Sequence, residues 1–251
     1  MVLGYPLNIF GAEIPPLYFF WVIGIVLMTV FYVTFADRFG LKRWQGLVMS
    51  LSFLIIEVIG AVILANIESL ETVAITGPKI GFSMFGIMFS LPLGNLALAK
   101  IFKKPYGDVM DYCAPGILIE LVLYRVGCTF AGCCHGLECE WFGITYSPSM
   151  KTFFPSQPIE AILDAALCAL LIYMLLKKKY PKGTLYALFL VGYSSVRFLV
   201  EFTRERDVLF LGMSRSHLFC LLWLAIGVYV LLVTREREAR RASRKERHKH
   251  S

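Results

Sequence analysis

The 251 residues are 57% hydrophobic and only 17% charged, with a mean hydropathy of +0.66 and a formal net charge of +7. A soluble domain of this size carries about 25% charged residues, so a soluble globular fold is excluded and an integral membrane protein is indicated. Eight of the Lys and Arg residues crowd between Arg235 and Lys249; no aromatic interleaving accompanies them, so the membrane surface is the expected partner and nucleic acid is not.

Seven apolar spans follow in chain order, at about 17–36, 45–66, 80–102, 113–133, 157–176, 183–202 and 217–234, each near the 20 residues that cross a bilayer. The N-terminus lacks a basic region and Pro15-Pro16 precedes the first span, so no cleavable signal peptide is expected. The connections are too short for a soluble domain. The expected fold is an all-α integral membrane protein of about seven transmembrane helices. Residues 1–234 form the transmembrane domain, and residues 235–251 form a disordered, basic cytoplasmic tail that includes His248 and His250.

Basic residues orient the spans. Arg38, Lys42 and Arg43 lie in the first connection, Lys100, Lys103 and Lys104 in the third, and Lys177, Lys178, Lys179 and Lys182 in the fifth, on the side of the basic tail. The opposite side holds only Lys79, Lys151, Arg204, Arg206 and Arg215. The N-terminus is therefore expected outside and the C-terminus in the cytoplasm.

With this orientation, polar groups from separate spans converge on the outer leaflet. The fourth span carries Arg125 and leads into Cys133-Cys134-His135-Gly136. A guanidinium at that depth is costly without a partner, and no carboxylate lies three or four residues away. Its partner must come from another span or from an anionic ligand such as a lipid phosphate, which a planar guanidinium binds in bidentate fashion. Arg197 and Glu201 share one helix face and could neutralise each other. Two arginines at one depth favour a phosphate clamp. Glu160 and Asp164 lie in the outer third of the fifth span, with Gln157 one turn earlier. Glu57, Asn66, Asn95 and His217 fit structural roles.

Cys128, Cys133, Cys134 and Cys139, with His135 among them, have the composition of a metal site, but they lack the paired spacing of a structural zinc site. No metal or other cofactor is expected. An external thiol pair could form a disulfide or do redox work; the bland alternative is small, soft packing residues, as expected for Cys113, Cys168 and Cys220.

These residues also resemble a known family. Arg125-Val126-Gly127, followed by a small-residue run to Gly136, resembles the signature of the prolipoprotein diacylglyceryl transferase family. Pro155-Ser156-Gln157 with Glu160 is similar to a second segment of that family. Tyr193, Arg197, Phe198, Glu201 and Arg204 are similar to a third. The resemblance implies transfer of a diacylglyceryl group from phosphatidylglycerol to the lipobox cysteine thiol of an exported prolipoprotein, in the bacterial cytoplasmic membrane. It makes Arg125, Arg197 and Glu201 candidate catalytic residues, and His135 joins them as a candidate base for the thiol. Tyr18, Gly127, Cys128, Gly136, Gln157, Glu160, Tyr193 and Arg204 become candidate substrate-binding residues.

The chain also departs from the family pattern. Phe85 stands at the position of the family's histidine, Cys128 and Ala131 at its asparagines, and Cys133 at its glutamate. The thiol base is left open between Glu201, His135 and the positive field of the arginines. The alternatives are a phospholipid-phosphate-binding protein or a transferase of the same fold acting on another acceptor, and a thiol redox protein.

Overall fold

The computed structural model describes residues 2–9, 11–68, 84–177, 180–205, 208 and 210–249. Among them the chain forms helices α1 (Pro16–Phe35), α2 (Arg43–Glu68), α3 (Met84–Ile101), α4 (Tyr106–Ala131), α5 (Ser156–Lys177), α6 (Thr184–Glu201) and α7 (Arg215–Lys249). They coincide with the seven expected spans. Six are long and apolar enough to cross a membrane; within α3 the apolar stretch Gly86–Ile101 is shorter. The expected third span began at residue 80, and residues 80–83 lie outside those described.

The chain is a multi-pass membrane protein. Helix is the form such segments must take, because hydrocarbon offers no partner to a free backbone N–H or C=O. α1 illustrates the pattern: Val22, Val26 and Val30, four residues apart on one face, are exposed, as suits a lipid-facing stripe.

Two details differ from expectation. The fold is not wholly helical: β1 (Val2–Leu3) runs parallel to β4 (Ile144–Tyr146), which pairs antiparallel with β5 (Lys151–Phe153), and β2 (Leu7–Ile9) pairs with β3 (Ala12–Ile14). These strands lie outside the apolar spans and are three residues or fewer, too short to leave a periodic signal. The residues from Arg235 to Lys249, expected to be disordered, continue α7 as helix. Glutamates interrupt the basic run there, and Arg240 pairs with Glu236 one turn back, the i,i+4 contact that supports an exposed helix.

Residues 29–112 form one compact unit and residues 1–28 with 113–251 another. In the first, Tyr32, Phe53 and Tyr112 are fully buried, with the Tyr32 and Tyr112 rings 5.0 Å apart, edge to face. Tyr112 donates its hydroxyl to the Tyr32 carbonyl, the Thr29 and Ser50 hydroxyls share a bond of 2.6 Å, and Ser90 donates to the Ile56 carbonyl at 3.1 Å. Gly60 of α2 faces Gly86 of α3 so closely that a Cβ on either would collide with the other's backbone.

In the second unit, α1 and α4 approach over small residues. A Cβ on Gly127 would sit 3.1 Å from Leu17 Cα and Phe20 Cβ, and one on Gly24 would sit 3.2 Å from Glu120 Cα. Trp21 donates its indole N–H to Glu120 at 2.6 Å across the same seam. α5 packs on α6, and α6 on α7. The end of α4, the start of α5 and the end of α6 thereby come together.

Candidate active site

Glu160, in the second turn of α5, is completely buried and gathers three guanidiniums. Arg125 of α4 reaches its Oε1 at 2.9 Å, while Arg204, just past α6, reaches Oε2 at 2.7 Å. Arg197 of α6 lies 3.6 Å from Oε2 and pairs with Glu201, one turn on, at 2.7 Å. Three positive groups therefore share two carboxylates. Burial, together with the like charges of Arg197 and Arg125, pulls the Arg204 guanidinium below its ordinary pKa. Several donors have no acceptor: Nε of Arg125, Nη1 of Arg197, Nε of Arg204 and the Tyr193 hydroxyl, all buried. Orphaned donors in a low-dielectric interior are costly, each by about 1–3 kcal/mol. Asp164, one turn further along α5, is buried and neither of its oxygens has a hydrogen-bond partner.

The surrounding backbone is stitched tightly. Ser156, at the start of α5, shares a 2.6 Å bond with the Thr203 hydroxyl, and Leu137 N–H donates to the Thr203 carbonyl at 2.8 Å. Gly136 sits where a Cβ would clash with Ser156 Oγ and with the Phe154 and Thr203 carbonyls. Gln157 donates to the Cys133 carbonyl at 2.7 Å, tying the loop after α4 to the helix that carries Glu160. Ser214 donates its hydroxyl to Glu201 at 2.9 Å, and its N–H to Nδ1 of His217 at 3.0 Å. That closes the start of α7 onto the cluster in the manner of a capping box.

Beside the arginines, the sulfurs of Cys128, Cys133 and Cys134 lie within 4.8 Å of one another. Gly132 ends α4 with φ +72, and Cys134 itself adopts φ +57, a left-handed conformation unusual for a side chain with a Cβ. The chain thus curls back toward Cys128. Hydrogen bonds with the Cys128 and Cys133 thiols hold Cys134 well below the usual thiol pKa, and Arg125 and Arg204 act in the same direction.

A family model described as prolipoprotein diacylglyceryl transferase matches residues 8–233. The chain belongs to the prolipoprotein diacylglyceryl transferase family. It is 30% identical over 170 residues to a phosphatidylglycerol–prolipoprotein diacylglyceryl transferase of Polaromonas naphthalenivorans, covering 64% of this chain and 63% of that protein. It is 31% identical over 163 residues to one of Methylobacillus flagellatus, covering 62% of each. A Clostridium perfringens protein, named phosphatidylglycerol–prolipoprotein diacylglyceryl transferase 2, is 27% identical over 238 residues, covering 89% of this chain and 92% of its own length. The first two alignments thus span under two thirds of their partners.

Set against this diacylglyceryl transferase assignment, the expected site residues divide into two groups. Arg125, Arg197, Glu201, Glu160 and Arg204 form one ion-pair network, with Tyr193 buried beside it and acted on by Arg125 and Arg197. The partner that Arg125 required from another span is Glu160.

The others do different work. His135 is held by ring contacts, 3.7 Å from the Phe153 centroid, and its Nδ1 lies 3.1 Å from the Gly136 carbonyl; no ion pair or hydrogen bond of the network reaches it. Gly127 faces α1, Gly136 and Gln157 hold backbone, and Cys128 joins the thiol group. Tyr18 is 58% exposed, and among the described residues no ion pair of the network includes it. Ser214 was missed, because a serine before a helix reads only as a cap. Phe85 opens α3 at the second residue, and Ser83 lies outside the described residues.

Proposed function

We propose that this protein transfers a diacylglyceryl group from phosphatidylglycerol to a cysteine thiol, the lipobox cysteine of an exported prolipoprotein, at the outer leaflet of the bacterial cytoplasmic membrane. In this reading the N-terminus faces out and the basic end of α7 faces the cytoplasm, the orientation that the distribution of Lys and Arg supports. The observation that carries the reading is a set of unsatisfied donors: Nε of Arg125, Nη1 of Arg197, Nε of Arg204 and the Tyr193 hydroxyl are buried without hydrogen-bond acceptors, on and beside the three guanidiniums gathered at Glu160. A phosphodiester supplies acceptors for these donors.

In this reading Glu160 fixes the three guanidiniums in place before substrate arrives, and the phosphate of the lipid docks on the donors that Glu160 leaves free. The acceptor sulfur attacks the glyceryl carbon, the carbon–oxygen bond to phosphorus breaks, and glycerol phosphate leaves as a dianion. Arginines preset around that phosphate stabilise the growing charge, an effect worth about 100- to 1000-fold in rate per donor. Glu201, clamped between Arg197 and the Ser214 hydroxyl, orients the clamp.

The test is incubation of the purified protein with phosphatidylglycerol labelled in its headgroup and a peptide carrying a lipobox cysteine. Release of labelled glycerol phosphate together with lipidation of the peptide is expected. Tight lipid binding without release would sink the transferase reading. That outcome would favour a second one, prompted by Phe85 at the family's histidine position: a protein of the same fold that only binds phospholipid.

A further inference from the structure

We propose that Cys128, Cys133 and Cys134 hold a thiophilic divalent metal ion of the zinc type, with one coordination position left open for the thiol of the incoming acceptor. The second half of this inference rests on the transferase reading above; the first does not.

Zinc binds thiolates at about 2.3 Å, which places the sulfurs of a tetrahedral site about 3.8 Å apart. These three already lie within 4.8 Å of one another, so a closure of about 1 Å or less completes the site. Cys128 comes from the last turns of α4, and the other two from the curl at Gly132 and Cys134, both at positive φ. Such a C-x-x-x-x-C-C arrangement is invisible to a search for paired C-x-x-C knuckles.

Among the described residues no fourth Cys, His, Asp or Glu joins the group. Three protein ligands with one open position is the pattern of reactive zinc sites, whereas structural ones are closed by four. The open side is given by burial: Cys128 is buried, Cys133 half-buried and Cys134 exposed. Three thiolates around a divalent ion carry one net negative charge.

The chemistry joins the two sites. A thiol that coordinates zinc is deprotonated outright, so the ion would supply the activation that Phe85 cannot. The acceptor cysteine gives its proton to solvent on binding the metal. Its sulfur then forms the bond to the glyceryl carbon as the carbon–oxygen bond to phosphate breaks. The thioether product is a weaker ligand and leaves. Nothing is oxidised or reduced.

Cobalt(II) loading of the detergent-purified, reduced protein tests the site directly. One cobalt per chain, with a thiolate-to-cobalt charge-transfer band, is expected. The band should be lost in Cys133→Ser and Cys134→Ser and kept in Cys139→Ser and Cys220→Ser. A cysteine-containing lipobox peptide should shift the cobalt bands, and the same peptide with serine should not. No charge-transfer band, or a disulfide among the three cysteines in place of bound metal, would overturn the site. Bands indifferent to the cysteine peptide would overturn the open position.

Transfer assays separate this inference from the reading beneath it. Undiminished transfer by metal-stripped protein removes the metal's role and leaves the transferase standing. Cobalt bands that respond to the peptide, in a zinc-reloaded protein that releases no glycerol phosphate, remove the transferase and leave the metal site.

Discussion

The unit of residues 29–112 and the arginine cluster of the other unit handle buried polar groups in opposite ways. Around Tyr32, Ser50 and Tyr112 hydroxyls find acceptors close by: the Tyr112 hydroxyl the Tyr32 carbonyl, the Thr29 hydroxyl Ser50, the Ser90 hydroxyl the Ile56 and Ile87 carbonyls. Around Glu160, three guanidiniums and a phenol keep buried donors without acceptors, and both oxygens of the neighbouring Asp164 are unbonded too. Stability alone would not select so many unsatisfied buried groups, since replacing a buried ion pair with apolar residues is often neutral or favourable. The difference is what makes the second region the candidate binding site.

Glu160→Gln should break the contrast most severely. It strips the common anchor from three buried guanidiniums, and leaving buried charges without their partner costs about 3–5 kcal/mol. The detergent-solubilised variant should lose its cooperative melting transition or express poorly; an unchanged melting temperature would mean that Glu160 does not hold the cluster. Arg125→Lys keeps the charge but removes Nε and the planar fork. Headgroup release from phosphatidylglycerol should fall about 100- to 1000-fold while the melting temperature stays close to that of the parent. A fall in stability without a change in rate would make Arg125 a structural residue.

Gly127→Leu tests whether that glycine serves packing or substrate. Its side chain would be driven into Leu17 and Phe20 of α1, an overpacking cost of about 1–3 kcal/mol. The effect should appear as a lower melting temperature, with the apparent affinity for lipid unchanged in the protein that remains folded. A weaker lipid affinity at unaltered stability would return Gly127 to the binding site. Tyr112→Phe should have the smallest effect. It deletes one balanced hydrogen bond, worth about 1 kcal/mol, and should leave transfer at the parental rate; a large loss of activity would show that the balanced region takes part in function.

How much was legible beforehand follows the same division. The helices could be read because crossing a bilayer demands about 20 consecutive apolar residues and internal bonding of every backbone group, and both demands are written along the chain. Arg125, Arg197 and Glu160 could be singled out because charge within such a span is rare and expensive. The short strands could not, since three residues outside an apolar span leave no periodic trace. The helical end of α7 was misjudged because a count of basic residues hides the i,i+4 pairing of Arg240 with Glu236. His135 looked reactive by its neighbours in sequence, yet the turn after α4 lays its ring on Phe153.

The sequence by itself determined that the chain is a multi-pass membrane protein of apolar helices, and that arginines and acids lie near the ends of several of them, because hydropathy and charge are properties of single segments. Only the tertiary structure decided who meets whom. Glu160, not Glu201 alone, collects the guanidiniums; Gly127 and Gly136 serve close packing; and Cys128 meets Cys133 and Cys134 through a left-handed turn. Those are distances between groups on different elements, and they exist only once the helices are packed.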